Sequence, residues 1–286
     1  MDKMNEKWLD YKVLSTSNGE KLEKWGDVIL LRPDPQVIWH GKTNLSKYPN
    51  LNAHYIREST GGGHWQVHIP YPATWDIHYR DMTFCVKPMG FKHTGIFPEQ
   101  AYNWDKMRDL IASANRPIKV LNLFAYSGGA TVACTMAGAH VTHVDASKGM
   151  VELAKANMAK NNLTDKPVRY IVDDCFKFVE REIRRGNKYD AIIMDPPSFG
   201  RGPNGETWKL ADNLHDFLLV CAKVLSDNPL FVLLNSYTTG LQPMALGNLL
   251  SLSFKEGNLS SYELGLPTDD GIMLPCGASA MIEYVK

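Results

Sequence analysis

Residues 119–145, KVLNLFAYSGGATVACTMAGAHVTHVD, constrain this chain more than any other stretch. A short apolar run over 120–124 leads into the glycine turn Ser127-Gly128-Gly129. A small-residue helical pattern over 130–136 follows and stops near Gly138. A second apolar run then ends on an acid, Asp145. Glycine reaches positive φ and lets the backbone come close to a ligand without a Cβ penalty. The start of a helix offers N–H groups that have no partner within the helix. An acid at the tip of the next strand can accept two hydrogen bonds from ribose hydroxyls. This order of strand, glycine turn, helix, strand and acid predicts a nucleoside-cofactor site on a doubly wound α/β sheet.

The rest of the chain from Ile118 onward fits that sheet. Strand patterns fall at 118–123, 140–145, 168–172, 190–194 and 230–235, and helical patterns at 129–136, 148–161, 175–185, 209–225 and 243–252. The strand runs are short and apolar, as strands covered on both faces should be. Regular alternation with helices predicts parallel pairing and right-handed crossovers. Two further strand patterns, 260–266 and 279–285, close the chain. A helical pattern over 101–113 precedes the unit, with Pro98 suited to its start.

Residues 1–90 read as a separate, small β-rich module, and 91–286 as the cofactor-binding domain. Five of the seven tryptophans lie in the first segment: Trp8, Trp25, Trp39, Trp65 and Trp75. Short strand patterns at 27–31, 36–40, 65–69, 75–79 and 82–86 are separated by Pro and Gly breakers, which predicts an antiparallel module. The run Gly61-Gly62-Gly63 has no helix pattern after it and reads as a flexible turn, not a phosphate cradle. The aromatics could stack bases, but a small module needs them as core. The histidines here show no tight ligand spacing, and no metal is expected.

Lysine plus arginine and aspartate plus glutamate both number 31, so no global basic field draws the chain to nucleic acid and any such contact needs a local patch. The five cysteines include no CxxC pair and read as reduced thiols. The polar start MDKMNEKWLD is not expected to be a signal peptide. No apolar run approaches the ~20 residues that span a bilayer. The expectation is a soluble, cytoplasmic protein.

The glycine turn reads Y-S-G-G, not the G-x-G-x-x-G of pyrophosphate binders. That counts against NAD and FAD and favours S-adenosylmethionine (SAM), which has no phosphates to seat. Asp145 suits the ribose; an ordinary solvated strand-end acid is the alternative. Asp174 could accept the adenine amino group or cap the following helix, and the two roles are compatible. Asp195-Pro196-Pro197-Ser198-Phe199 directly follows the fourth strand. Consecutive prolines there make a rigid, extended backbone at the sheet edge where ligands bind. Asp195 can hold an amine or ring N–H and align its lone pair. Methyl transfer from a sulfonium is an in-line displacement, so geometry counts for more than a strong base. The glycine-rich loop 200–209 reads as mobile, with Arg201, Trp208 and Lys209 placed to meet phosphate and base.

Taken together, the turn at 120–131, Asp145, the D-D-x-F-K segment at 173–177 and the D-P-P-S-F segment at 195–199 resemble the class I SAM-dependent methyltransferases. The resemblance is to the bacterial large-subunit ribosomal RNA cytosine-5 methyltransferases and their relatives. KHTGIFPEQ at 92–100 is similar to the K-T-G-x-x-x-D-Q stretch that lies against the cofactor in that family. The resemblance covers about residues 88–286 and implies a seven-stranded sheet with the last strand antiparallel. It assigns SAM to Lys92, His93, Thr94, Phe97, Gln100, Phe124, Ala125, Tyr126, Ser127, Gly128, Gly129, Asp145, Ala146, Ser147, Asp173, Asp174 and Cys175. It assigns catalysis to Asp195, Pro196, Pro197 and Ser198, and substrate contact to Phe199, Arg201, Trp208 and Lys209.

Two departures shape the expected function. The cytosine-5 enzymes place a nucleophilic cysteine just after the fifth strand, where this chain reads N-S-Y-T-T-G at 235–240. The family's N-terminal RNA-binding module is not recognisable in residues 1–90. Nitrogen methylation needs no such nucleophile, so the expectation is an RNA methyltransferase acting at a base nitrogen, with RNA met by a local patch. A protein or small-molecule acceptor is the alternative. A non-catalytic SAM-binding protein is another, against which the intact Asp-Pro-Pro-Ser argues.

Overall fold

The computed structural model describes residues 7–41, 43–58, 62–202 and 205–284. They fall into two compact units, one running through Tyr102 with Gly265–Cys276 added, the other comprising Asn103–Leu264 and the chain from Gly277.

In the first unit, β1 (Tyr11–Ser17), β2 (Glu20–Trp25), β3 (Val28–Pro33), β4 (Ala53–Arg57) and β5 (Gly63–Val67) form one sheet in that order. Neighbours are antiparallel except β3 and β4, which run parallel. β6 (Trp75–Tyr79) and β7 (Met82–Val86) pair as a separate hairpin. The strand expected over 36–40 does not form. Asp34 and Pro35 turn the chain there, with the Gln36 N–H donating to Asp34 Oδ1 at 3.1 Å. β1, β2 and β4 escaped the sequence reading because their alternation is carried by charged and polar residues, as in EKLEKW. Gly62 and Gly63 join β4 to β5, while Gly61 lies outside the described residues. A Cβ at Gly63 would meet the Tyr55 ring at 2.8 Å, so close packing, not looseness, keeps this glycine.

Trp8, Tyr11, Trp25 and Tyr79 are buried edge to edge, with ring centroids 4.5–5.4 Å apart, as core residues. Beside them lies a buried ion pair. Arg32 donates through Nε to Glu23 Oε2 (2.6 Å) and through Nη2 to Oε1 (2.8 Å), and the Tyr11 hydroxyl adds a third donor at 2.9 Å. Arg32 also donates through Nη1 to the Lys92 carbonyl at 2.9 Å. Burial would raise the Glu23 pKa, but the charges of Arg32 and Lys21 and these hydrogen bonds outweigh it and hold it at about 2.

The second unit is a seven-stranded sheet. β8 (Lys119–Leu123), β9 (His140–Asp145), β10 (Val168–Val172), β11 (Ala191–Met194) and β14 (Phe231–Ser236) run parallel; β15 (Asn258–Pro267) and β16 (Met273–Glu283) complete the order β10-β9-β8-β11-β14-β16-β15. β16 is antiparallel to β14, as the family resemblance implies. Between β11 and β14, β12 (Phe199–Arg201) and β13 (Thr207–Lys209) form a small hairpin. The helices are α1 (Ala101–Ser113), α2 (Gly129–Met136), α3 (Lys148–Lys160), α4 (Cys175–Arg184), α5 (Leu210–Ala222) and α6 (Pro243–Ser253). α4, α5 and α6 share one core with Leu121, Leu123, Ile192, Met194, Val232 and Leu234, alternate residues of three adjacent strands. α2 and α3 cover β8 and β9. Among the described residues no helix is long and apolar enough to cross a membrane.

A buried polar network ties α1 to the carboxyl end of β14. Asn103 Nδ2 donates to Asn235 Oδ1 (3.1 Å) and Ser279 Oγ (3.3 Å), Ser279 Oγ donates to Asn235 Oδ1 (2.6 Å), and the Tyr262 hydroxyl donates to Asn103 Oδ1 (2.6 Å).

Two outcomes follow for stability. Asn103→Ala strips partners from Asn235, Ser279 and Tyr262 and should lower the unfolding free energy by about 1–3 kcal/mol, read by denaturant titration. Glu23 has its pKa depressed in the folded state, so its stabilising contribution is complete above the unfolded value near 4.5 and is lost as pH falls toward 2. Glu23→Gln should therefore flatten the acid limb of a stability–pH curve; an unchanged acid limb would contradict the assignment.

Candidate active site

The chain leaves β8 through Phe124 (φ 55°), Ala125 and Tyr126 (φ 50°), and enters α2 through Gly128 (φ 83°). Non-glycine residues held at positive φ cost about 1–3 kcal/mol each and persist only when their surroundings over-determine them. Here three bonds do so. The Tyr126 N–H donates to Asp145 Oδ2 (2.8 Å), the Ala125 N–H to the Val144 carbonyl (3.0 Å) and the Phe124 N–H to Cys175 Sγ (3.3 Å). The Ser127 carbonyl accepts from Asn157 Nδ2 at 2.9 Å.

A Cβ at Gly128 would stand 2.8 Å from the Ala154 Cβ, so the missing side chain makes room for α3. Gly129 is the buried first residue of α2.

At the tip of β9, Asp145 Oδ1 accepts from the Ser147 N–H (2.8 Å), while Oδ2 holds Tyr126. Each carboxylate oxygen carries two lone pairs, so one backbone bond apiece leaves both able to accept again. Burial raises the Asp145 pKa against the pull of those two N–H donors. Ala146 is half-buried and Ser147 caps α3, accepting from the Met150 N–H at 3.4 Å.

Past β10, Asp174 is the N-cap of α4, accepting from the Lys177 N–H at 2.9 Å, which is the capping role read from the sequence. Asp173 accepts from the Asp174 N–H (2.9 Å) and is ion-paired with Arg181. The Cys175 thiol is buried beneath the turn, and burial pushes its pKa well up. Its side chain supports Phe124 and is sealed from solvent.

At β11 the Asp195 N–H reaches the Leu123 carbonyl at 3.4 Å, continuing the sheet ladder. Pro196 is buried; Pro197, Ser198 and Phe199 are exposed. Ser198 Oγ and Thr238 Oγ1 share a hydrogen bond of 2.6 Å, which joins this segment to the tip of β14. The flanks of loop 200–209 pair as the β12–β13 hairpin, with Pro203 and Asn204 outside the described residues. Trp208 Nε1 donates to the Pro197 carbonyl (2.7 Å), and its ring packs on Phe124 (5.2 Å) and Phe217 (5.4 Å). Lys177 and Glu206 form an ion pair that ties the hairpin to α4. Trp208 is thus engaged within the protein, while Arg201 and Lys209 are exposed at the hairpin ends.

Lys92, His93, Thr94, Phe97 and Gln100 fall in the other unit. Burial lowers the Lys92 ammonium to about 8 and the His93 ring to about 4. The His93 ring packs on Phe97 at 5.4 Å, and the Gln100 N–H donates to the Phe97 carbonyl at 3.1 Å. Thr94 is fully buried, and its hydroxyl has no partner among the described residues.

Sequence reasoning missed Thr238 and the aromatic bed of Phe217 and Phe176. Residues 237–239 had drawn notice only for lacking a cysteine. Cys221 is buried in α5, and Cys276 lies on β16, two residues before Ala278, the register partner of Ser236 at the β14 tip.

Residues 45–225 match the S-adenosylmethionine-dependent methyltransferase family. The chain is similar to the SAM-dependent methyltransferase from Agrobacterium tumefaciens, with 34% identity and a TM-score of 0.91 over 96% of this chain and 91% of that one. The SAH complex of SMU.776 superimposes with a TM-score of 0.74 at 21% identity over 98% of this chain and 78% of that one, a likeness of fold alone. Ribosomal RNA large subunit methyltransferase I of Salmonella arizonae is 34% identical over 132 residues, 45% of this chain and only 31% of that protein. The family match, the near-complete likeness at 34% identity and the strand order lead to one conclusion: the chain belongs to the S-adenosylmethionine-dependent methyltransferases.

Proposed function

We propose that this enzyme methylates RNA at a base nitrogen, with the cofactor across the carboxyl ends of β8, β9 and β10 and the acceptor at Asp195-Pro196. The donor set fits SAM. Asp145 offers two partly satisfied carboxylate oxygens to vicinal ribose hydroxyls, and nothing at the turn demands a phosphate. SAM supplies an electrophilic methyl group on a sulfonium. Asp195 accepts an N–H of the acceptor and turns its lone pair toward that methyl. The Pro197 carbonyl is held by Trp208, whereas the Pro196 carbonyl accepts no hydrogen bond among the described residues and is the second acceptor for the substrate amine. With SAM bound, the nitrogen–carbon bond would form as the sulfur–carbon bond broke, and Asp195 or solvent would take the proton from the nitrogen.

One observation carries the choice of nitrogen: the β14 tip facing this segment presents Thr238, hydrogen-bonded to Ser198, in the stretch 235–240 where the cytosine-5 enzymes carry their cysteine. RNA is supported by the likeness to the Salmonella arizonae enzyme, although this chain spans about a third of that protein's length. Phe199, 56% exposed, stands beside the segment as a surface for the flipped base.

Tritiated methyl transfer to RNA from cells lacking the enzyme tests the reading. Asp195→Ala should cut turnover by about 100-fold or more while leaving SAM affinity within a few-fold. Equal label with and without the mutation would refute it. Asp145→Ala should weaken SAM binding about 10- to 100-fold, the worth of one or two charge-assisted hydrogen bonds. The ionised carboxylate is the acceptor and its pKa is raised, so calorimetric affinity for SAM should fall on acidification at a pH above the ordinary aspartate range. The Ala variant should lose that dependence.

A further inference from the structure

The amino ends of the parallel strands hold a cleft of about 420 Å³. It lies at the opposite pole of the sheet from the carboxyl tips, roughly 13–17 Å away at ~3.3 Å per strand residue. Lys119, His140, Arg169 and Lys188 line it, over Glu182 and Tyr189. Glu182, the acid among the lining residues, is fully buried. It accepts from the Tyr189 hydroxyl (2.7 Å), Asn187 Nδ2 (2.7 Å), Arg185 Nη1 (2.9 Å) and Arg169 Nη1 (3.5 Å). Four donors fill the four lone-pair positions of a carboxylate, so Glu182 fixes Arg169 and Asn187 in the wall and has no capacity left for a cation. Asp190, an acid of the same pole, is paired with Arg116 at 2.9 Å and accepts the Lys119 N–H at 2.9 Å.

The lining residues Lys119, Arg169 and Lys188 against Glu182 leave a formal excess of three minus one, two positive charges, in a chain whose net charge is zero. Among the described residues the Lys119 ammonium and the His140 ring have no hydrogen-bond or ionic partner. Lys188 Nζ gives one of its three hydrogens to the Lys223 carbonyl at 2.7 Å. The Lys119 and Lys188 ammonium groups, neither paired with an acid among the described residues, line an open cleft beside the Glu182-held Arg169, a complement to an anion with several acceptor oxygens.

We propose that this cleft binds phosphoryl groups, with the backbone phosphates of an RNA passing the far pole of the sheet as their source. It goes beyond methyl transfer, because no residue of the cleft belongs to the cofactor or acceptor segments.

The test uses the full chain, a labelled mixed-sequence RNA oligonucleotide and, separately, inorganic phosphate. Lys119→Gln with Lys188→Gln should weaken RNA binding about 5- to 20-fold and reduce the slope of log K against log salt by between one and two. The same variant should abolish the ³¹P line broadening that the wild type gives with inorganic phosphate. SAM affinity should stay unchanged, which shows that the fold and the methyltransferase site are intact. Lys255→Gln, a single charge removed elsewhere, should leave RNA binding and slope within experimental error. Loss of the phosphate signal with unchanged RNA binding would keep the phosphoryl cleft and overturn RNA as its source. Wild-type RNA affinity, slope and phosphate broadening in the double variant would overturn the cleft altogether.

Discussion

The Asp145 carboxylate and the two backbone N–H groups it accepts, from Tyr126 and Ser147, carry the rest of the site. One oxygen holds a turn whose residues sit at positive φ; the other sets the start of α3. The same group therefore fixes the exits of two neighbouring strands. A carboxylate so placed is desolvated, and its raised pKa records that cost. The free lone pairs then point outward already oriented, because the backbone and not a flexible side chain defines their direction.

The acceptor side is held as firmly by different means. Phe124, Trp208, Phe217 and Phe176 form a continuous aromatic bed under the glycine turn and the β12–β13 hairpin. The Trp208 indole reaches from that bed to the Pro197 carbonyl, and Thr238 reaches across to Ser198 from β14. The buried Asn103–Asn235–Ser279–Tyr262 network anchors β14 just below. Rotations of any one loop meet resistance from the others.

The parallel sheet was legible in the sequence because buried strands give continuous apolar runs and the helices between them keep their period, so α2 and β9 fall where their patterns lie. The tip residues were legible as chemistry: an acid at each of β9, β10 and β11. What they do locally was less so. Asp174 declared its capping role by its place before α4, but Asp173 meets Arg181 eight residues on, a pairing no local pattern announces. That Gly128 also makes room for Ala154 was not legible, because contacts between α2 and α3 depend on tertiary register. In the glycine-rich stretch 200–209, Trp208 and Glu206 meet partners distant in sequence, Pro197 and Lys177, which no local pattern announces. In the first unit, β2 hides its inward residues among charges, and Glu23 is buried only because Arg32 faces it from the next strand.

The paired prolines carry a further chemical meaning. Proline has no N–H, and the Pro197 carbonyl is already occupied by the Trp208 indole. For the proposed acceptor, the segment would offer a rim of acceptor atoms: the Asp195 carboxylate and the Pro196 carbonyl. Such a rim has a polarity. An exocyclic amine, with two hydrogens to give, finds a partner for each, whereas a ring carbonyl turned the same way meets oxygen against oxygen. Under the proposed function, discrimination between an amino-bearing and a keto-bearing base edge would rest on a backbone carbonyl together with one carboxylate.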